Sequence, residues 1–178
     1  MKYLIASDIH GSAYYTEKII EKLSNENADA LVLLGDIFNH GPRNPLPKDY
    51  APLKVAELLN SIKDRLFVVK GNCDSEVDTL ISEFDFLPHL LILTGEKSCF
   101  LTHGHQYNKD FLPKQAISAI IYGHFHTGFI EKQDNIWVVN AGSVSLPKGG
   151  TPSSYLILDG QTLTLKDIDG AIIKSVNL

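Results

Sequence analysis

Cysteine is scarce in this 178-residue chain, which has only Cys73 and Cys99. Two thiols cannot make a disulfide framework, and a domain of this length can bury a core without one. Long apolar runs are also missing. No stretch approaches the ~18 residues of a membrane span. The N-terminus reaches its first charged motif at Asp8 with no room for the apolar region of a signal peptide. Excess positive charge is missing too: 16 Lys and Arg face 21 Asp and Glu, giving a net charge of −5. A surface that holds nucleic acid through counterion release is normally basic, so no polynucleotide partner is expected. No repeat, low-complexity tract or linker divides the chain. These absences predict one cytoplasmic domain over residues 1–178, with no membrane contact. The hydrophobic fraction of 44% is ordinary for a globular protein.

The first part of the chain alternates strand-like and helix-like runs. Lys2–Ala6, Ala30–Leu34 and Leu66–Val69 read as short buried strands. Between them, Tyr14–Asn25 puts Tyr15, Ile19, Ile20 and Leu23 at helical spacing. Pro52–Ile62 does the same with Val55, Leu58, Leu59 and Ile62, and has proline in its first turn. This βαβαβ rhythm predicts a largely parallel sheet. Beyond about Phe86 the runs turn β-rich, at 90–93, 99–102, 119–122, 128–131, 136–139, 155–158 and 163–165. Hairpin signals stand at Gln133-Asp134-Asn135 and Asp159-Gly160. Strands apolar on both sides need cover on both faces, which two packed sheets flanked by helices provide.

Five polar clusters share one position, each directly after a strand. They are Ser7-Asp8-Ile9-His10-Gly11, Gly35-Asp36, Lys70-Gly71-Asn72-Cys73-Asp74, His103-Gly104-His105 and Gly123-His124-Phe125-His126. Taken singly, most have an ordinary reading. A strand-end Asp caps helices, Gly-Asp makes turns and Gly-Asn-Cys-Asp can form an Asx turn. Closely spaced histidines beside glycine point more directly to metal. Turn preferences alone would not put all five at the same strand end, where ligands of open α/β sheets bind. Imidazoles, carboxylates and an amide carbonyl suit divalent manganese, iron, cobalt, nickel or zinc. Asp8, His10, Asp36, Asn72, His103, His124 and His126 are more donors than one tetrahedral ion uses. They suit two ions ~3.5–4 Å apart, bridged by a carboxylate.

At these residues the sequence resembles the calcineurin-like metallophosphoesterase superfamily, with its Asp-x-His, Gly-Asp, Gly-Asn-x-Asp/Glu, lone His and Gly-His-x-His pattern. The longer strings Gly-Asp-Ile-Phe-Asn-His-Gly-Pro-Arg-Asn, Gly-Asn-Cys-Asp and Ala-Gly-Ser-Val-Ser-Leu-Pro-Lys-Gly-Gly resemble its small bacterial YfcE-type phosphodiesterases. The resemblance implies a four-layer α/β/β/α sandwich and a phosphoesterase holding two divalent ions. Manganese is the expected metal, with nickel, cobalt, iron or zinc as alternatives. It implies that Asp8, His10 and His126 hold one ion, that Asn72, His103 and His124 hold the other, and that Asp36 bridges. A bridging hydroxide would attack phosphorus, so Asp36, Asn72 and His103 are also expected to matter for catalysis.

Cys73 departs from the wider pattern, in which that position is often His. A neutral thiol offers neither a ready proton nor positive charge, which favours small phosphodiesters over monoester dianions. Arg43 and His40 follow Asp36 on a Gly/Pro-rich loop and, with Cys73 and His105, are candidate substrate contacts. The Asn140–Ser143 turn is expected to border the site structurally, and His89 has no partner motif. Alternatives are a monoesterase, a nuclease, or a scaffold like the retromer subunit of this superfamily. The full ligand set favours an enzyme. The oligomeric state stays open, a homo-oligomer included.

Overall fold

The computed structural model describes residues 1–178. Alternation of side chains along each strand sorts the chain into two mixed sheets. In the first, β1 (Lys2–Ala6), β2 (Ala30–Leu33), β3 (Leu66–Val69) and β4 (Phe86–Leu87) run parallel. It continues antiparallel beyond β1 through β10 (Ser154–Asp159), β11 (Thr162–Asp167) and β12 (Ile172–Asn177). The second sheet has β5 (Leu90–Thr94), β6 (Lys97–Leu101), β7 (Ala119–Tyr122), β8 (Phe129–Gln133) and β9 (Ile136–Asn140), in the order β5-β6-β7-β9-β8. Its three middle strands, β6, β7 and β9, are parallel.

Helices α1 (Ala13–Asn25) and α2 (Pro52–Asn60) cover one face of the first sheet. Ser12 starts α1 by accepting the Tyr15 N–H at 3.3 Å, and Pro52 starts α2 where its missing N–H leaves nothing unpaired. Ile19 and Leu23 of α1 and Val55 and Leu59 of α2 pack on Leu4, Leu31 and Leu33. The opposite strand faces, Ile5 and Val32, meet Cys99, Leu101, Ile121 and Val139 of the second sheet. Each such buried aliphatic side chain contributes about 1.5–3 kcal/mol relative to exposure. Burial on both faces is why these strands read as unbroken apolar runs.

The far face of the second sheet differs from the expected helical layer. Phe100, Ile120, Tyr122 and Val138 there are covered by Ile117, Phe129 and Tyr107 rather than by a helix. The 103–118 segment has polar residues, Gly104 and Pro113 but no helical apolar stripe. Both hairpins form, pairing Gln133 with Ile136 and Asp159 with Thr162. The two cysteines are free, and no helix is long and apolar enough to cross a membrane.

Candidate metal centre

The polar clusters follow the carboxyl ends of parallel strands in both sheets: β1, β2 and β3 in one, β6 and β7 in the other. Packing the sheets face to face brings all seven predicted ligands together. Five of them, Asp8, His10, Asp36, His124 and His126, have φ between 52° and 63°. That left-handed conformation costs a non-glycine residue about 1–2 kcal/mol. It turns the chain sharply at each strand end, and such strain collects where function over-determines the backbone.

Backbone carbonyls fix three of the imidazoles. Nδ1 of His10 lies 2.7 Å from the Asn39 carbonyl, that of His103 2.7 Å from Leu34, and that of His126 2.7 Å from Leu146. A carbonyl only accepts, so each Nδ1 is the donor and each Nε2 keeps a lone pair in the neutral ring. Those lone pairs converge. His10 Nε2 stands 3.2 Å from His126 Nε2, and His103 Nε2 stands 3.2 Å from His124 Nδ1 and 3.0 Å from Asn72 Oδ1. Acceptors facing acceptors repel unless a cation or a proton lies between them. This is the arrangement in which ligand histidines are oriented by their other nitrogen.

The carboxylates complete two groups of donors. Asp8 Oδ2 accepts the Ser7 hydroxyl at 2.6 Å and the His124 N–H at 2.9 Å, while the fully buried Oδ1 has no hydrogen-bond partner. That oxygen lies 3.5 Å from His10 Nε2 and 3.3 Å from His126 Nε2. Asp36 stands between the groups: Oδ2 is 3.8 Å from His10 Nε2 and Oδ1 is 3.4 Å from His103 Nε2. Without a cation, protons must balance these charges. Burial disfavours charge on His103, but Asp36 and Asp8 outweigh it and carry its pKa up to about 9. Burial also opposes ionisation of Asp8, yet His10, His126 and His103 hold its carboxyl well below the usual range. The orphaned oxygen and the converging lone pairs fit divalent cations.

Glycine is required at two approaches. A Cβ on Gly71 would collide with the Asp36 carboxylate and backbone nitrogen, and one on Gly123 with Ser7 and Asp8. Above the cluster opens a cleft of about 770 Å³. Asp36, Asn72, Cys73, His124 and His126 reach it from below, and its walls come from the 39–45 loop, Phe125 and Lys148.

The calcineurin-like phosphoesterase superfamily domain matches residues 1–163. The chain belongs to that superfamily. It is 45% identical to the phosphodiesterase YfcE of Escherichia coli over 99% of this chain and 97% of that protein. A solved structure of YfcE, described as a phosphoesterase, matches with a TM-score of 0.95 at 44% identity, covering 99% of each chain. The probable metallophosphoesterase YsnB of Bacillus subtilis is 28% identical over 99% of this chain and 96% of its own. Vacuolar protein sorting 29 of Cryptosporidium parvum shares the fold, with a TM-score of 0.65 at 17% identity over 99% of this chain and 98% of that one.

Within this phosphoesterase fold the four substrate-side candidates separate. Arg43 and Cys73 line the cleft; His40 and His105 do not. His40 packs edge-on against Tyr50 at 5.3 Å, with its Nδ1 buried and unpartnered. His105 is exposed beside the cluster, its ring centre 5.4 Å from that of His103. His89 stacks on Phe100 on the far face. Burial and the nearby Asp36 push the Cys73 thiol up to about 12, so it is neutral.

Three supports were not singled out from the sequence. Buried Asp74 accepts N–H bonds from Asp36 at 2.9 Å, Ile37 at 2.7 Å and Gly71 at 2.7 Å, tying the β2 and β3 loops together. Its only signal is an Asp two residues after Asn72 at a strand end. The second support is Ser145, which donates to the Asp8 carbonyl at 2.9 Å; Ser143 of the expected bordering turn does so at 2.8 Å. The third is Lys148, whose N–H donates to the His126 carbonyl at 2.8 Å while its residue lines the cleft. Its signal was the Leu-Pro-Lys-Gly-Gly string.

Proposed function

We propose that the chain is a metal-dependent phosphodiesterase acting on small phosphodiesters, with manganese as the working ion. In this reading Asp8, His10 and His126 hold one ion, Asn72, His103 and His124 hold a second, and Asp36 gives one oxygen to each. The observation that carries it is the pair of converging lone-pair groups on either side of Asp36. When bound, two such ions activate water near neutral pH and offset negative charge on phosphoryl oxygens.

The chain's own residues define the rest. The carbonyls of Asn39, Leu34 and Leu146 keep three imidazoles in the ligand tautomer, so little reorganisation is left for substrate binding. Arg43 brings a charge-assisted donor to the phosphate as it enters the cleft. Cys73 contributes no positive charge, and its thiol, pushed up to about 12, is a much weaker general acid than an imidazolium. A diester needs less of both than a monoester dianion, which is why the reading favours diesters. Relatedness to YfcE, named a phosphodiesterase, supports the same choice.

A cytoplasmic location goes with this reading, and cell fractionation tests it. The activity test is hydrolysis of bis(4-nitrophenyl) phosphate and 4-nitrophenyl phosphate after reconstitution with each of the five candidate metals. The expected result is manganese-supported turnover with a higher kcat/KM for the diester. No diester turnover with any of these metals would overturn the assignment.

A further inference from the structure

Phe125 is the large apolar side chain of a cleft that is otherwise mostly polar. It stands between His124 and His126 in the chain, lines the same cleft as they do, and is 49% exposed. An exposed apolar residue alone means little, since much of any protein surface is apolar. Here the ring is held rather than loose. It meets His124 edge-on at 5.0 Å and 80°, and Tyr122 at 6.1 Å and 77°. Its backbone N–H donates to the Gly123 carbonyl at 2.7 Å, closing a tight turn with His124 at its centre. The ring therefore has a fixed place relative to the candidate metal ligand His124.

Two cations share the cleft with it. Lys148 follows Leu146, whose carbonyl orients His126, and Arg43 follows Asn39, whose carbonyl orients His10. Lys148 is thus tied through a short loop to His126, and Arg43 to His10. A phenyl ring at such a place suits a flat partner, because stacked π-faces bury apolar area with little conformational cost. Neighbouring lysine and arginine make the same place unfavourable for a cationic group.

We infer that Phe125 is a specificity-determining residue. It forms a subsite for one ester group of the substrate and selects phosphodiesters whose retained alcohol carries a flat, uncharged or anionic ring. This rests on the phosphodiesterase reading above. The shared chemistry is the flat ring, whether it comes from an aryl alcohol or from a nucleobase.

The test uses the metal-loaded protein and 4-nitrophenyl phosphodiesters that differ only in the retained alcohol. Benzyl and cyclohexylmethyl esters separate flat from saturated rings of equal size; a thymidine 5′-ester probes the base, and a choline ester probes positive charge. We expect kcat/KM for the benzyl ester to exceed that for the cyclohexylmethyl ester by about fivefold or more, within the range of single stacking contacts. Most of this should lie in KM. Phe125→Ala should bring the ratio toward one, and Phe125→Trp should keep it. The thymidine ester should follow the benzyl ester if the subsite takes bases and the cyclohexylmethyl ester if it takes only small aryl groups. The choline ester should be the poorest. Equal use of benzyl and cyclohexylmethyl esters by the wild type, or a ratio unmoved in Phe125→Ala, overturns the inference.

Titration calorimetry with benzyl phosphate and cyclohexylmethyl phosphate gives the same comparison without turnover. Absence of hydrolysis for every ester would then count against the phosphodiesterase reading, while the binding ratio still decides the role of Phe125.

Discussion

The floor and the rim of the cleft are built in opposite ways. On the floor, Asp8, His10, His103 and His126 are buried, each held by a backbone carbonyl or a network of donors, and most of the ligand set sits in left-handed turns. On the rim, Arg43, Phe125 and Lys148 are exposed, though the Phe125 ring is held by His124 and Tyr122. The floor thus stores strain and charge that only a cation or protons can relieve. Substitution of the rim side chains is expected to disturb it less than substitution on the floor. In the proposed reading, chemistry belongs to the first region and choice of substrate to the second, a division general to sites placed on a shared fold.

That contrast orders the expected effects of substitution. Asp36→Asn should act most strongly, since it removes charge from the one side chain that faces both donor groups. Turnover of bis(4-nitrophenyl) phosphate should fall by orders of magnitude; near wild-type activity with full metal would break the bridging assignment. Gly71→Ala should come next, because the new methyl group must displace the Asp36 carboxylate or its backbone. A loss of roughly 10–100-fold in activity or metal affinity is typical when ligand support is disturbed. Unchanged metal affinity and rate would show that Asp36 need not stay where it is.

The third effect is one of pH. In the metal-free protein the pKa of His103 lies near 9, raised above the unfolded value by Asp36 and Asp8 despite burial. Its stabilising contribution is therefore complete below about pH 6.5 and is lost as pH rises through about 9. A metal must displace that proton, so this group alone should weaken manganese binding about tenfold per pH unit below 9. Binding that is flat between pH 6 and 8 would contradict the charge balance described for the floor.

Rim substitutions should be milder. Cys73→His, which places an imidazole where a neutral thiol now lines the cleft, should raise monoesterase relative to diesterase efficiency. A well-placed general acid gives about 10²–10⁴-fold, and an ungoverned new one should give less. An unmoved ratio in a fully metallated variant would free Cys73 of any role in the preference. Arg43→Ala and Lys148→Ala should each raise KM by only a few-fold and leave metal content unchanged; loss of metal would place them on the floor instead.

The same contrast explains what the sequence revealed. Floor residues were legible because each cluster follows a buried apolar strand, so topology alone sends them to one edge. Their left-handed turns were not, since no local pattern demands φ near 55° at a histidine. Asp74 looked like turn chemistry because its three amide partners lie on two separate loops. Rim roles depend on loop paths: His40 and Arg43 are three residues apart, yet only Arg43 reaches the cleft. Among the strands, β4 escaped detection because it has two residues before Pro88, and β12 because most of its residues are exposed. Both lie at the edges of the first sheet, where burial leaves little mark on sequence.

The central claim is that Asp36 joins two ions in one site. Manganese content and electron paramagnetic resonance of the reconstituted wild type, beside Asp36→Asn, test it most directly. Two ions per chain with an exchange-coupled signal, and loss of that coupling in the variant, are predicted. A single ion per chain with the six-line signal of isolated manganese in the wild type would contradict the account.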